Sequence, residues 1–71
     1  MTIVVDVNGP GGERKHREFI SGGGAWSRVG QFMRALREAG VEWTDEVRQG
    51  SYTLFTKRDR TIVATATRID R

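Results

Sequence analysis

Apolar residues recur along this chain at two spacings, and the switch between them marks out its elements. From Ala25 to Ala39 (AWSRVGQFMRALREA) the spacing is helical. Trp26, Val29, Met33 and Leu36 fall three or four residues apart, with Phe32 and Ala39 beside them. That places one apolar stripe along a helix, and Phe32 and Leu36 are both expected in the core. Gly22, Gly23 and Gly24 precede the helix. Gly40 follows it, where a left-handed glycine would stop it without steric cost. Gly30 falls mid-helix, which lowers stability by about 1 kcal/mol relative to Ala and points to close approach of the sheet or of a partner.

The remaining segments alternate with the period of strands. In Thr2–Val7 (TIVVDV), Ile3, Val5 and Val7 face one way and Thr2, Val4 and Asp6 the other. Asn8-Gly9-Pro10-Gly11-Gly12 reads as a turn. Glu13–Ser21 (ERKHREFIS) reads as its hairpin partner at a sheet edge, where charge discourages pairing with other chains. After the helix come the strands Val41–Arg48, Ser51–Lys57 and Arg60–Ile69, with turns at Gln49-Gly50 and Arg58-Asp59.

Two-residue turns fix a register. Val47 should pair with Tyr52, Asp45 with Leu54, Trp43 with Thr56, Leu54 with Val63 and Phe55 with Ile62. One face then gathers Val41, Trp43, Val47, Tyr52, Leu54 and Val63 and is assigned to the helix. The other gathers Thr44, Thr53, Phe55, Ile62, Ala64 and Ala66. A one-residue slip in either turn would exchange the two faces. The expected fold is α+β: residues 1–71 form a single two-layer sandwich, an antiparallel sheet of four or five strands with one helix on one face, in chain order ββαβββ.

A helix of about 15 residues is roughly 22 Å long and about 10 Å wide, so it shields one side of such a sheet. The other side should show Phe55 and Ile62 among threonines and alanines, either as an ordinary solvated face or as a surface for a partner or a homodimer.

Composition narrows the chemistry. The absence of cysteine excludes disulfides and makes a cytoplasmic setting the default. The single histidine, His16, excludes a zinc site built from Cys and His. No apolar run reaches the ~18 residues of a membrane helix, and MTIVVDVNG does not read as a secretory signal. The formal net charge is +3, and the surplus lies in the C-terminal stretch, where Lys57, Arg58, Arg60, Arg68 and Arg71 face Asp59 and Asp70. That balance suits contact with a polyanion without demanding it.

Catalytic constellations are thin. His16 sits in a charged run with no nucleophile and base to place around it. Glu42, Asp45 and Glu46 alternate across a strand and read as a solvated edge rather than a metal site. Gly22-Gly23-Gly24 before a helix suits an anion, but GxxxxGK[ST] and GxGxxG are both absent. No catalytic residue, cofactor or metal is expected. Basic residues beside aromatics remain. Lys57, Arg58 and Arg60 share one turn, with Phe55 and Tyr52 nearby. Arg14, Lys15, Arg17, Phe55, Lys57, Arg58, Arg60 and Ile62 are the candidate partner-binding residues.

The stretches AWSRVGQFMRALREAG and SYTLFTKRDRTIVATATRI, in a small cysteine-free chain with one helix and an antiparallel sheet, resemble the layout of small phage-encoded inhibitors such as anti-CRISPR proteins. The likeness spans the whole chain in layout and carries no diagnostic motif. It implies a non-catalytic protein that blocks a surface of a larger protein or nucleoprotein complex. The alternative is a direct nucleic-acid-binding module using the basic turns, with a small enzyme a distant third.

Overall fold

Local preference accounts for the first hairpin. Ile3, Val5 and Val7 stiffen an extended chain, and Asn8-Gly9-Pro10-Gly11-Gly12 turns it back, closed by the Gly9 amide on the Glu13 carbonyl at 2.7 Å. The structure is a computed structural model that describes residues 1–69. Its elements are β1 (Thr2–Asn8), β2 (Arg14–Ser21), α1 (Ala25–Glu38), β3 (Trp43–Arg48), β4 (Ser51–Thr56) and β5 (Ile62–Arg68). The fold is α+β, with one helix and an antiparallel five-stranded sheet among the described residues. In space the strands run β2-β1-β5-β4-β3. The chain order ββαβββ is the expected one. The central pairing of β1 with β5 joins the first hairpin to the last three strands.

The β3–β4 register is the one the two-residue turn requires: Val47 pairs with Tyr52, Asp45 with Leu54 and Trp43 with Thr56. Gly50 takes a φ of 78° in that turn. The β4–β5 connection departs from expectation. It is not a two-residue turn at Arg58-Asp59. β4 ends at Thr56 and β5 starts at Ile62, and Asp59 holds the loop between them. Its Oδ1 accepts from Thr56 Oγ1 at 2.5 Å, Thr61 Oγ1 at 2.8 Å and the Thr61 amide at 3.1 Å.

Phe55 pairs with Ile62 as expected, but Leu54 pairs with Ala64 rather than Val63, because the register shifts between Leu54 and Phe55. The extra residue is a β-bulge, and it changes the parity of everything after it. Ala64 and Ala66, expected on the far face, are therefore fully buried under the helix, and Thr65 and Thr67 face outward.

The core consists of Ile3, Val5, Ala25, Val29, Met33, Leu54, Ala64 and Ala66, with Val7, Ile20, Trp26, Leu36, Trp43, Tyr52 and Val63 packed around it. The alanines of the central strand leave volume to Met33, Val29 and Leu54. Three expected core residues lie outside it: Phe32, Val41 and Val47, the last 69% exposed because it sits near the end of the edge strand β3. Phe32 is 38% exposed, because the stripe that meets the sheet runs through Ala25, Val29 and Met33 and leaves Phe32 at its margin. Val41 is 93% exposed, because β3 starts two residues later, at Trp43.

The helix boundaries are tight, and glycine acts at the opposite end from the one expected. Gly24, with φ 75° and ψ 11°, is the left-handed N-cap, and no side chain caps that end. At the other end Ala39 stays right-handed, and the Ala39 and Gly40 amides bond the Leu36 and Arg37 carbonyls at 3.1 Å. Gly40 has no positive φ. Glycine is needed there because a Cβ would run into the Trp43 ring. At Gly30 a Cβ would meet nothing within 4 Å, so the sheet does not make the close approach that was one of the two expected reasons for this glycine. Among the described residues, no helix is long and apolar enough to cross a membrane.

Candidate functional site

Strand order decides which charges meet. β1 is antiparallel to both β2 and β5, so the turn after β1 and the turn before β5 lie at the same end of the sheet. Asn8 Nδ2 donates to the Ile62 carbonyl at 3.3 Å across that junction. Gly9 and Pro10 of one turn and Asp59, Thr61 and Ile62 of the other line a shared cleft of about 440 Å³, with Leu36, Trp43 and Val63 at its floor and sides. Arg14 and Lys15 flank the first turn, and Lys57, Arg58 and Arg60 belong to the second. All five are exposed. The two basic patches that the sequence offers separately thus converge on one end of the molecule.

The local chemistry differs among the candidates. Lys15 lays its stem beside Glu13 over Gly9. Arg17 is committed to Asp6: its Nε and Nη2 donate to the two carboxylate oxygens at 2.7 and 2.9 Å. This two-point bond holds the Asp6 carboxyl below the ordinary aspartate range and raises the Arg17 guanidinium. Arg60, at φ 58°, places its guanidinium 4.3 Å from the centre of the Phe55 ring and 3.8 Å from Glu46. Phe55, expected to show on the open face, is therefore only 7% exposed. Ile62 remains 45% exposed. Lys57 and Arg58 carry no side-chain ion pair among the described residues.

Hydrogen bonds from Thr56 and Thr61 hold the Asp59 carboxyl down at about 2. The carboxylates on β3 are likewise engaged. Asp45 accepts from Tyr52 Oη at 2.5 Å and faces Arg37 at 3.5 Å. Burial, reinforced by that carboxylate, pushes the Tyr52 hydroxyl up. Glu46 accepts from Arg48 Nε at 2.5 Å, which lowers its carboxyl. Among the described residues no group of three or more His, Cys, Asp or Glu is placed to hold a metal ion. His16 is exposed on β2, with Nε2 3.4 Å from Glu18 Oε1. Gly22, Gly23 and Gly24 form a tight link in which Gly22 bonds back to the Met1 carbonyl at 3.0 Å.

No known family matches this chain. Neither a curated protein nor a solved structure is similar to it.

Two groups outside the expected set belong to the candidate surfaces. Phe19 is 58% exposed on the outer face, paired with Val4. Arg34 and Arg37, with Lys57, line a basic hollow of about 530 Å³ against Trp43. The three-residue spacing of Arg34 and Arg37 was the sequence signal for a shared helix side. Their meeting with Lys57 depends on the pairing of β3 with β4.

Proposed function

We propose that this chain is a non-catalytic binding module that docks on, and blocks, a surface of a larger protein or nucleoprotein complex in the cytoplasm, as small phage inhibitors of the anti-CRISPR type do. The observation that supports it best is the convergence of the two basic hairpin tips, Arg14 and Lys15 beside Lys57, Arg58 and Arg60, at one end of the sheet. They adjoin an outer face with no helix over it among the described residues, where Phe19 and Ile62 are exposed. A cationic end next to apolar groups on rigid strands suits an acidic partner surface, with charge steering the encounter and the apolar groups holding it.

The test is affinity capture from the native host with two variants. One carries Arg14→Glu, Lys15→Glu, Lys57→Glu and Arg58→Glu. The other carries Phe19→Glu and Ile62→Glu. Both should melt as the parent does, and each should lose the captured complex. Recovery of the same complex by both would overturn the reading.

The same cluster also supports direct contact with a nucleic-acid backbone. If four cations each neutralise a phosphate, duplex affinity should fall with a log–log salt slope of roughly −3.6. Salt-independent binding, or none, would remove that reading.

A further inference from the structure

β3 is the last strand of the sheet, with β4 on one side only. The two-residue turn makes Arg48 and Ser51 the closing hydrogen-bonded pair. Alternate residues, Glu46 and Thr44, therefore bond to β4, while Val47 and Asp45 turn their amides and carbonyls away from the sheet. On the helix side of this free edge lie two hollows. One, of about 400 Å³, is apolar and bounded by Trp26, Gly30, Val47 and Tyr52. The other is the basic hollow of Arg34, Arg37 and Lys57 against Trp43.

Trp26, Gly30, Arg34 and Arg37 share one side of the helix, so the two hollows follow each other along a single groove. Gly30 keeps its apolar end open: a Cβ there would meet nothing within 4 Å, so the fold itself gains nothing from glycine. Val47, at the same end, is 69% exposed. At the basic end Arg34 and Lys57 have no side-chain partner among the described residues, Arg37 is shared with Asp45 at 3.5 Å, and Glu38 is the carboxylate lining the hollow. The other edge of the sheet is less open to pairing. β2 is crowded with charge from Arg14 to Glu18, and Arg28 donates to the Ser21 carbonyl.

We infer that the β3 edge and its groove take an extended peptide segment bearing an apolar residue followed, four positions on, by a carboxylate. The segment adds to β3 as an antiparallel strand. Its backbone bonds to Val47 and Asp45, its apolar residue sits opposite Val47 beside Gly30, and its carboxylate sits opposite Trp43 among the cations. A strand alternates faces, so residues four apart point to the same groove. This surface shares Lys57 and Trp43 with the hairpin-tip end but none of Arg14, Lys15, Arg58, Phe19 and Ile62, so its failure would leave the docking reading above intact.

The test uses the end-blocked heptapeptide Thr-Leu-Thr-Ser-Thr-Glu-Thr, titrated into isotope-labelled protein. The Asp45 and Val47 amides should shift and their hydrogen exchange should slow. The peptide with Lys in place of Glu should bind about tenfold more weakly, and Arg34→Glu should erase that preference. Gly30→Leu fills the apolar hollow, and it should fold and melt as well as the parent yet lose at least about tenfold in affinity. Four results would overturn the inference: no amide shift at millimolar peptide, equal binding of the Glu and Lys peptides, shifts confined to β2, or a Gly30→Leu variant that binds as the parent does. A single-stranded oligonucleotide displacing the heptapeptide and shifting the same amides more strongly would also overturn it.

Discussion

The Arg60 guanidinium lies 4.3 Å from the centre of the Phe55 ring, and the same side chain reaches Glu46 at 3.8 Å. One arginine, held at φ 58° by the Asp59 loop, thereby covers an aromatic ring that the strand pattern alone leaves facing water. Arg60→Ala should lose about 0.5–1 kcal/mol of stability with the ring contact while the backbone strain remains. Arg60→Gly loses the same contact but relaxes the left-handed position, so it should fall closer to the parent. Urea unfolding of the three proteins checks the order.

The helix stripe predicts a contrast between neighbours in sequence. Met33 is fully buried and Phe32 is 38% exposed. Met33→Ala should lose about 2–5 kcal/mol, a large part of the stability of so small a domain. Phe32→Ala should lose well under half of that, since most of a cavity penalty is absent at a half-open site. Equal losses in thermal or urea melts would place the buried stripe elsewhere.

Two glycines should respond in opposite directions. Gly30→Ala adds a methyl to open space in a helix and should raise stability by about 0.5–1 kcal/mol. Gly40→Ala drives a methyl into the Trp43 ring and should destabilise, with a change in tryptophan emission as the ring moves.

Acid should loosen the β4–β5 loop in a defined window. Asp59 titrates at about 2 in the folded chain against 3.8 for the unperturbed group. A carboxyl held down in the folded state adds stability above its unfolded pKa and loses it as pH falls through the folded value. Asp59→Ala should therefore be less stable than the parent at about pH 6, and the difference should close between about pH 4 and pH 2. Asp6 and Glu46, both lowered by arginine hydrogen bonds, act in the same direction. A difference that stayed constant through this range would contradict the loop geometry.

Short-range order is legible in the sequence itself. Ile3, Val5 and Val7 alternate, Trp26, Val29, Met33 and Leu36 recur with the helical period, and Gln49-Gly50 allows a two-residue turn. Those patterns depend on residues a few positions apart, whose sterics are written locally, so the β3–β4 register and the span of α1 follow from them. The β4–β5 bulge was not legible, because it arises where Asp59, Thr56 and Thr61 close a longer loop through side-chain hydrogen bonds. It moved Ala64 and Ala66 beneath the helix.

The tertiary structure alone decided which distant residues meet. Pairing β1 with β5 joins Thr2–Asn8 to Ile62–Arg68 across the length of the chain. A strand has two edges and its own alternation does not choose its neighbour, so only the packing of the whole core makes that choice. With it came the junction of the two basic tips and, in the order β2-β1-β5-β4-β3, the free edge at β3.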